Sequence, residues 1–255
     1  MPDSPVARLA TSHRFGASID TLAKAMKAED AEAAIEVLSA GGEHLEWVNT
    51  DQPADVLRKV LVPQALLLRE AALLGDADAA LAVLEQHRML CAHRRGPYGV
   101  THWNRQIERW LAEQTDAPLW AQWYPGRPVL VTANDYGLKL YNGDTGVTIR
   151  QRGALRAVMA TATGPVDFAT SRLADIETMH AMTIHKSQGS QAAEVTVLLP
   201  PEDSRLLTRE LLYTAVTRAR TKVRVVGSAE QLRAAVARRA ARATGLSRRL
   251  RETME

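Results

Sequence analysis

The stretch AMTIHKSQGSQAAEVTVLLP, residues 181–200, holds two short apolar segments, AMTIH and EVTVLLP, on either side of a polar loop. Short apolar segments that include β-branched residues are typical of buried strands. Further along, TRELLYTAVTRA predicts a helix, KVRVVG a strand and AEQLRAAVARRA a helix, and Ser228 with Gln231 predicts a capping box for this last helix. Strands that alternate with helices indicate a parallel sheet with crossover helices, so the sequence predicts an α/β fold.

The chain upstream of this stretch follows a different pattern. Residues 18–90 are predicted to be helical, with Gly75 placed to end one helix and Pro63 placed to kink or interrupt it. Beyond residue 127, PVLVTAN predicts a strand. The pairs Asn142-Gly143 and Thr163-Gly164 then predict hairpin turns. A small β unit is therefore expected within an otherwise helical and α/β chain.

Four of the five tryptophans lie between Trp103 and Trp123. Such a cluster is compatible with a platform on which nucleic-acid bases stack. Trp103 and Trp110 share the spacing of one helix face with Ile107 and Leu111, so we favour core packing for them.

Composition limits the class of protein. The 255 residues are 46% hydrophobic and 24% charged, which is typical of a folded globular chain large enough for one big domain or two modest ones. The sequence shows no apolar run of membrane-spanning length and no secretory h-region. Its single cysteine, Cys91, excludes an internal disulfide framework, so we expect a cytoplasmic protein with no membrane partner.

The charge is unevenly distributed along the chain. Residues 204–255 contain 13 Lys/Arg and 4 Asp/Glu, a net charge of +9, which leaves −6 for the rest of the chain. This basic end is compatible with a nucleic-acid partner. A solvated helix rich in alanine and arginine explains it equally well.

The loop TIHKSQG, residues 183–189, partly resembles a phosphate-binding loop. A P-loop needs G-x-x-x-x-G-K-[ST], but Lys186 follows His185 and the dipeptide Gly-Lys occurs nowhere in the chain. Thr183 and Gln188 add groups that contact phosphates and sugars, and Gly189 permits close backbone approach. The loop therefore lacks a nucleotide cradle. Its polar groups are compatible with nucleic-acid contacts, but from these residues alone we favour a structural role for it.

Two further clusters are candidates for chemistry. Arg218, in LLYTAVTRARTK, has the character of an arginine finger that stabilises a transferring phosphoryl group, and equally of a cation at a helix C-terminus. His87, Cys91 and His93 suggest metal ligands, but no C-x-x-C or second paired cluster accompanies them, so we predict no metal site.

AMTIHKSQGS and LLYTAVTRAR together resemble motifs V and VI of superfamily 1 DNA helicases of the RecD type. TSHRFG near the start resembles motif IV of the same family. LCAHRRGPYGVTHWNRQIE and GRPVLVTANDYGLKLYNGDTGV resemble its middle region and the region that leads into a small barrel. The likeness extends over nearly the whole chain.

The resemblance implies a second RecA-like motor domain, formed by residues 1–140 and 177–255, with a small β-barrel of Src-homology type inserted at residues 141–176. The first motor domain, which carries the P-loop and the Mg²⁺ ligands in this family, is expected to be missing. The family binds ATP between its two motor domains. Arg14 and Arg218 would approach the γ-phosphate from this half.

The resemblance also divides the other motif residues into two sets. Family members often have a glutamate that contacts the ribose where this chain has Gln191, so an uncharged amide replaces a carboxylate. The residues implied to contact DNA are Thr183, His185, Lys186 and Gln188. The residues implied to contact the nucleotide are Gly189, Gln191 and Thr217.

The function implied is that of an ATP-dependent 5′-to-3′ DNA helicase within an exodeoxyribonuclease V complex that acts in double-strand break repair and recombination. The expected partners are single-stranded and duplex-end DNA, RecB-like and RecC-like subunits, and the missing motor domain. ATP and Mg²⁺ would be used only together with that domain, so the isolated chain is expected to be inactive as an ATPase. The alternatives are a module that binds single-stranded DNA or protein without turnover, and a relaxase-type helicase fragment.

Overall fold

The computed structural model describes residues 17–115, 121–161 and 163–240. Arg14 and most of the basic C-terminal run therefore lie outside the described residues. The helices are α1 (Ala17–Lys27), α2 (Ala31–Ala40), α3 (Ala54–Leu74), α4 (Ala77–Gln86), α5 (Val100–Thr115), α6 (Arg209–Val216) and α7 (Ala229–Ala237). The strands are β1 (Leu45–Val48), β2 (His87–Cys91), β3 (Pro128–Val131), β4 (Thr145–Gln151), β5 (Ala154–Thr161), β6 (Gly164–Ala169), β7 (Ile176–Thr178), β8 (Ala181–Thr183), β9 (Ala192–Leu198) and β10 (Ala219–Val226).

Five of the strands form a parallel sheet in the order β1-β10-β9-β2-β8. The predicted RecA-like α/β class, a parallel sheet with flanking helices, is confirmed. The segments predicted as strands and helices beyond residue 180 are present, and Ser228 and Gln231 form the predicted capping box. The prediction of an entirely helical segment over residues 18–90 is wrong, because β1 and β2 lie within it.

The other five strands form an antiparallel sheet in the order β6-β5-β4-β3-β7. The predicted turn glycines both have positive φ, 105° at Gly143 and 113° at Gly164. A further two-residue turn, with positive φ at Arg152 and Gly153, joins β4 to β5. The sheet also includes β3, which precedes residues 141–176, and β7, which begins at the last residue of that range. Closure into a barrel and the division into domains stay predictions.

Helix α3 lies between the two sheets and is continuous through Pro63. Of the two predicted effects of Pro63, an interruption of the helix is wrong, and a kink stays a prediction. Pro63 is exposed, so water can satisfy the carbonyl that loses its partner, while Leu61 and Val62 anchor the turn in the core. Gly75 ends the helix with a φ of 74°, as predicted. A Cβ there would lie 2.6 Å from the Arg150 carbonyl oxygen of β4, so glycine is required at this contact.

Helix α5 packs its apolar face against the parallel sheet. Trp103 and Trp110 are 3% and 4% exposed and belong to one buried cluster with Ile107 and Leu111. The preference for core packing is confirmed, and these two side chains cannot present a surface to nucleic-acid bases. No helix within the described part of the chain is both long and apolar enough to cross a lipid bilayer.

Asn104, on α5, joins the two sheets at the point where the chain passes from one to the other. Its side-chain oxygen accepts a hydrogen bond from the Ala181 amide at 2.7 Å, and its side-chain nitrogen donates to the Thr178 carbonyl at 2.7 Å. Asn104 thereby provides hydrogen-bond partners for backbone groups at the end of β7 and the start of β8. Strand β8 leads directly into the loop that begins at residue 184.

We predict that Asn104→Ala lowers the free energy of unfolding by about 2 kcal/mol or more, because one buried and one half-buried backbone group lose their partners. Gln114→Ala, an exposed position on the same helix, serves as the control and should change stability little. Urea denaturation of both variants measures the effect. Equal stability of Asn104→Ala and the wild-type protein would show that water replaces the amide without cost.

Candidate functional site

Residues 184–191 form a loop that crosses the parallel sheet from one end to the other. Thr183, where the loop begins, pairs with Cys91 at the carboxyl end of β2. Ala192, which follows the loop, pairs with Ala219 at the start of β10. The 184–191 loop therefore connects the carboxyl edge of the sheet to its amino edge without a crossover helix.

Hydrogen bonds within the loop hold it in a series of turns. The Ser187 amide donates to the Thr183 carbonyl at 3.1 Å, and the Ser187 hydroxyl donates to the Ile184 carbonyl at 2.7 Å. The Thr183 hydroxyl accepts a bond from the Lys186 amide at 3.3 Å, so this predicted DNA contact also stabilises the loop. Gly189 has a φ of 90°, which accounts for a glycine at this position.

The predicted DNA-binding side chains lie on the outer part of the loop. His185 and Gln188 are exposed, and Lys186 is half-buried. The Lys186 ammonium lies 2.5 Å from the side-chain oxygen of Asn142, which belongs to the turn before β4. The loop and this turn line a cleft of about 420 Å³. The structure thus brings His185, Lys186 and Gln188 together beside the antiparallel sheet.

A second cleft, of about 310 Å³, runs from Lys186 and Thr183 along α5. Arg94 and Arg105 contribute cationic side chains to its lining. The Arg94 guanidinium lies 2.7 Å from the carboxylate of Glu177, and both side chains are exposed. We did not single out Arg94 or Arg105 from the sequence, although both lie in the segment that resembles the family. Together with Lys186 they bring three cationic side chains, of the kind that contact phosphates, to a cleft that Glu108 and Glu177 also line.

The inner end of the loop contacts the segment after α6. The Gln191 side-chain amide is placed to donate to the Thr217 carbonyl at 3.5 Å. The Arg218 Nη1 donates to the Ser190 carbonyl at 3.4 Å, and the Ala192 amide donates to the Arg218 carbonyl at 3.1 Å. The predicted nucleotide contacts Gln191 and Thr217 therefore lie together with Arg218.

Arg218 is also held by its own helix. Its Nε donates to the Thr214 carbonyl at 3.1 Å in the last turn of α6, as expected for a cation at a helix C-terminus. Its Nη2 lies 3.3 Å from the Thr217 hydroxyl. The half-buried guanidinium is thus oriented by neighbouring carbonyl and hydroxyl groups. These contacts fit the helix-capping interpretation and leave the arginine-finger interpretation a prediction.

Arg88, on β2, also forms a hydrogen bond with Ser190, the loop residue that Arg218 contacts. Its Nη1 donates to the Ser190 hydroxyl at 2.9 Å, and the side chain is buried. Burial lowers the pKa of Arg88 from its ordinary value, with Glu85 opposing this effect and Arg220 adding to it. Sequence reasoning missed Arg88 because β2 was predicted as helix. The signal that could have identified Arg88 was a single arginine within a buried strand.

The three candidate metal ligands have other roles. His87 is half-buried and its Nε2 lies 2.8 Å from the Thr196 hydroxyl. Burial, aided by Arg224, lowers the pKa of His87 to about 3. Burial raises the pKa of the Cys91 thiol to about 12, and His93 lies 2.8 Å from the Ser204 hydroxyl. Among the residues described, no three His, Cys, Asp or Glu side chains form a group suited to a metal ion.

Comparison with known proteins places this loop within a helicase domain. A family model for the UvrD-like helicase C-terminal domain matches residues 178–226, which include the 184–191 loop and Arg218. The RecBCD enzyme subunit RecD of Mycolicibacterium smegmatis is 67% identical over 246 residues, covering 96% of this chain and 44% of that protein. The RecBCD enzyme subunit RecD of Mycobacterium tuberculosis is 64% identical over 251 residues, covering 98% and 44%. This chain belongs to the RecD family.

The match to RecD is to its C-terminal part, and the chain spans less than half the length of these relatives. The ATP-dependent RecD2 DNA helicase of Deinococcus radiodurans is 32% identical over 190 residues, covering 73% of this chain and 25% of that protein. A Bacteroides Pif1 helicase superposes with a TM-score of 0.44 and 13% identity, covering 97% of this chain and 56% of that chain. The RecD resemblance predicted from the motifs is confirmed by the relatives alone, since this superposition is too weak to add to it.

We predict that Arg88→Met in this RecD-family chain loosens the 184–191 loop, because the Ser190 hydroxyl loses its bond to Nη1. Hydrogen exchange at the amides of residues 187–192 should accelerate severalfold or more. Global stability should fall little, since methionine fills the buried volume without a charge. Arg220→Met, an exposed arginine nearby, is the matched control. Unchanged exchange at these amides would show that Arg88 does not support the loop.

Proposed function

We propose that this chain is the C-terminal motor portion of a RecD-like, ATP-dependent DNA helicase. The 184–191 loop carries the proposal. Its outer side chains, His185, Lys186 and Gln188, line a cleft suited to a nucleic-acid strand, and its inner end contacts Thr217 and Arg218. One short segment therefore joins a strand-binding surface to the residues proposed to face the nucleotide.

Single-stranded DNA is the proposed ligand of the outer surface. Arg94, Arg105 and Lys186 supply the positive charge that phosphates require, and Gln188 adds an exposed amide. The clefts of about 310 and 420 Å³ share Lys186, and we propose that together they form one path between α5 and the turn at Asn142. We propose that the strand follows this path.

The residues present fit part of a nucleotide site. Arg218 would place positive charge near a phosphate, and the Gln191 amide would hydrogen-bond a ribose hydroxyl. The chain has no Gly-Lys dipeptide for a P-loop. ATP and Mg²⁺ would therefore be held mainly by another motor domain, and Mg²⁺ would supply charge neutralisation at the phosphates. We assign no hydrolysis step to this chain alone, and the role proposed for Arg14 rests on the motif IV resemblance.

The assembly proposed for this chain follows the names of its relatives, which are RecBCD enzyme subunits and an ATP-dependent DNA helicase. We propose partners of the RecB and RecC type, 5′-to-3′ movement, and a role at duplex ends in double-strand break repair within a cytoplasmic exodeoxyribonuclease V complex. A basic C-terminal end is compatible with DNA in such an assembly.

We predict that Arg218→Ala lowers the ATP hydrolysis rate about 10³-fold in a motor that joins this chain to a P-loop-bearing first motor domain. The reason is that a guanidinium near the γ-phosphate stabilises charge in the transition state. Binding of a single-stranded oligonucleotide should be unchanged. Single-turnover hydrolysis and fluorescence anisotropy measure the two effects.

Arg220→Ala is the matched control for this experiment, because Arg220 is exposed and its guanidinium lies 4.0 Å from the Glu85 carboxylate. It should leave hydrolysis within about twofold of the wild-type rate. If Arg218→Ala weakened DNA binding while the rate per bound complex stayed constant, Arg218 would be a DNA contact. The proposed division of the loop into DNA and nucleotide ends would then be incorrect.

A further inference from the structure

Tyr136 and Tyr141 form an exposed aromatic pair in the loop between β3 and β4. Their side chains are 75% and 51% exposed, and their ring centroids lie 6.4 Å apart with the planes at 77°. Edge-to-face geometry stabilises the pair but leaves ring faces open to solvent. Trp103 and Trp110, by contrast, are buried in the core. Among the described residues, the large aromatic side chains that are exposed therefore lie on this loop and not on α5.

The loop that carries the pair is held by hydrogen bonds on both sides of each tyrosine. Asp135 and Leu140 exchange backbone bonds of 2.8 and 3.0 Å. The Tyr141 amide donates to the Asp144 carboxylate at 2.8 Å, and the Asn142 amide donates to the Asn134 side-chain oxygen at 2.9 Å. A fixed loop presents the rings at low conformational cost, since each tyrosine has only two side-chain torsions.

The pair adjoins the proposed strand path. Asn142, the residue after Tyr141, accepts a hydrogen bond from Lys186 and lines the 420 Å³ cleft with His185 and Gln188. Tyr141 is thus adjacent in the chain to a residue that lines this cleft and contacts Lys186. Basic groups beside exposed aromatic rings are the arrangement that binds single-stranded nucleic acid without sequence preference.

We propose that Tyr136 and Tyr141 form a base-stacking subsite for single-stranded DNA at the end of the cleft that contains Lys186. The inference rests on the proposed function, because it requires a strand in that cleft. The phosphates contact Lys186 and its neighbours, and a base stacks on an open tyrosine face. The phenol hydroxyls stay at the surface, where Tyr136 accepts a weak bond of 3.3 Å from the Asn134 amide.

The test measures binding of fluorescein-labelled oligothymidylate, and of the same strand with abasic nucleotides, to the full 255-residue chain by fluorescence anisotropy. The double variant Tyr136→Ala/Tyr141→Ala should bind oligothymidylate roughly fivefold or more weakly than the wild-type chain, because it loses the stacking surface. The wild-type chain should prefer oligothymidylate to the abasic strand, and the double alanine variant should lose most of that preference. Tyr136→Phe/Tyr141→Phe keeps the rings and should bind as the wild-type chain does.

Leu74→Ala provides the matched control, since Leu74 is 79% exposed at the end of α3 and lies outside both clefts. It should not change either affinity. If the double alanine variant bound oligothymidylate and the abasic strand as tightly as the wild-type chain, the tyrosines would not form a nucleic-acid subsite. Their exposed rings would then be better explained as a contact surface for a protein partner. If the wild-type chain bound neither strand, the proposed function would fail and the subsite with it.

Discussion

The hydrogen bonds at Ser190 are the contacts on which the candidate site depends. Its hydroxyl accepts a bond from buried Arg88 and is placed to donate to the Ser187 carbonyl at 3.1 Å, while its own carbonyl accepts from Arg218. Strand β2, the 184–191 loop and the segment after α6 therefore meet at one residue. A buried guanidinium is costly without a partner, so Arg88 favours the one loop conformation in which Ser190 faces it.

This arrangement has a mechanical consequence for a motor domain. The loop runs from the carboxyl edge of the sheet at Thr183 to the amino edge at Ala192. The residues between these two ends form a series of turns that are held by backbone hydrogen bonds. A DNA strand that moved Lys186 would displace the same loop whose Ser190 carbonyl accepts a hydrogen bond from Arg218. Coupling between DNA and nucleotide would then need no long pathway through the core. The antiparallel sheet contributes through Asn142, whose contact with Lys186 fixes the outer wall of the cleft.

Sequence reasoning succeeded where local signals were strong. Residues 181–237 alternate apolar strands with a capped helix, and Gly75 and Gly164 occupy positions that need positive φ. It failed where tertiary context decides the structure. β2 follows α4 directly, with no glycine or proline to mark the change, and a strand of five residues carries little periodicity of its own.

The same distinction applies to the site. The motif residues were identified from spacing and resemblance, but the contact of Lys186 with Asn142 joins residues 44 positions apart and leaves no local pattern. The most direct test of the account is ATP hydrolysis by the pure 255-residue chain, followed under single-turnover conditions with and without single-stranded DNA. The account predicts no hydrolysis in either case, because the phosphate cradle belongs to another domain. Hydrolysis stimulated by DNA would contradict it and would require a phosphate site built by this chain itself.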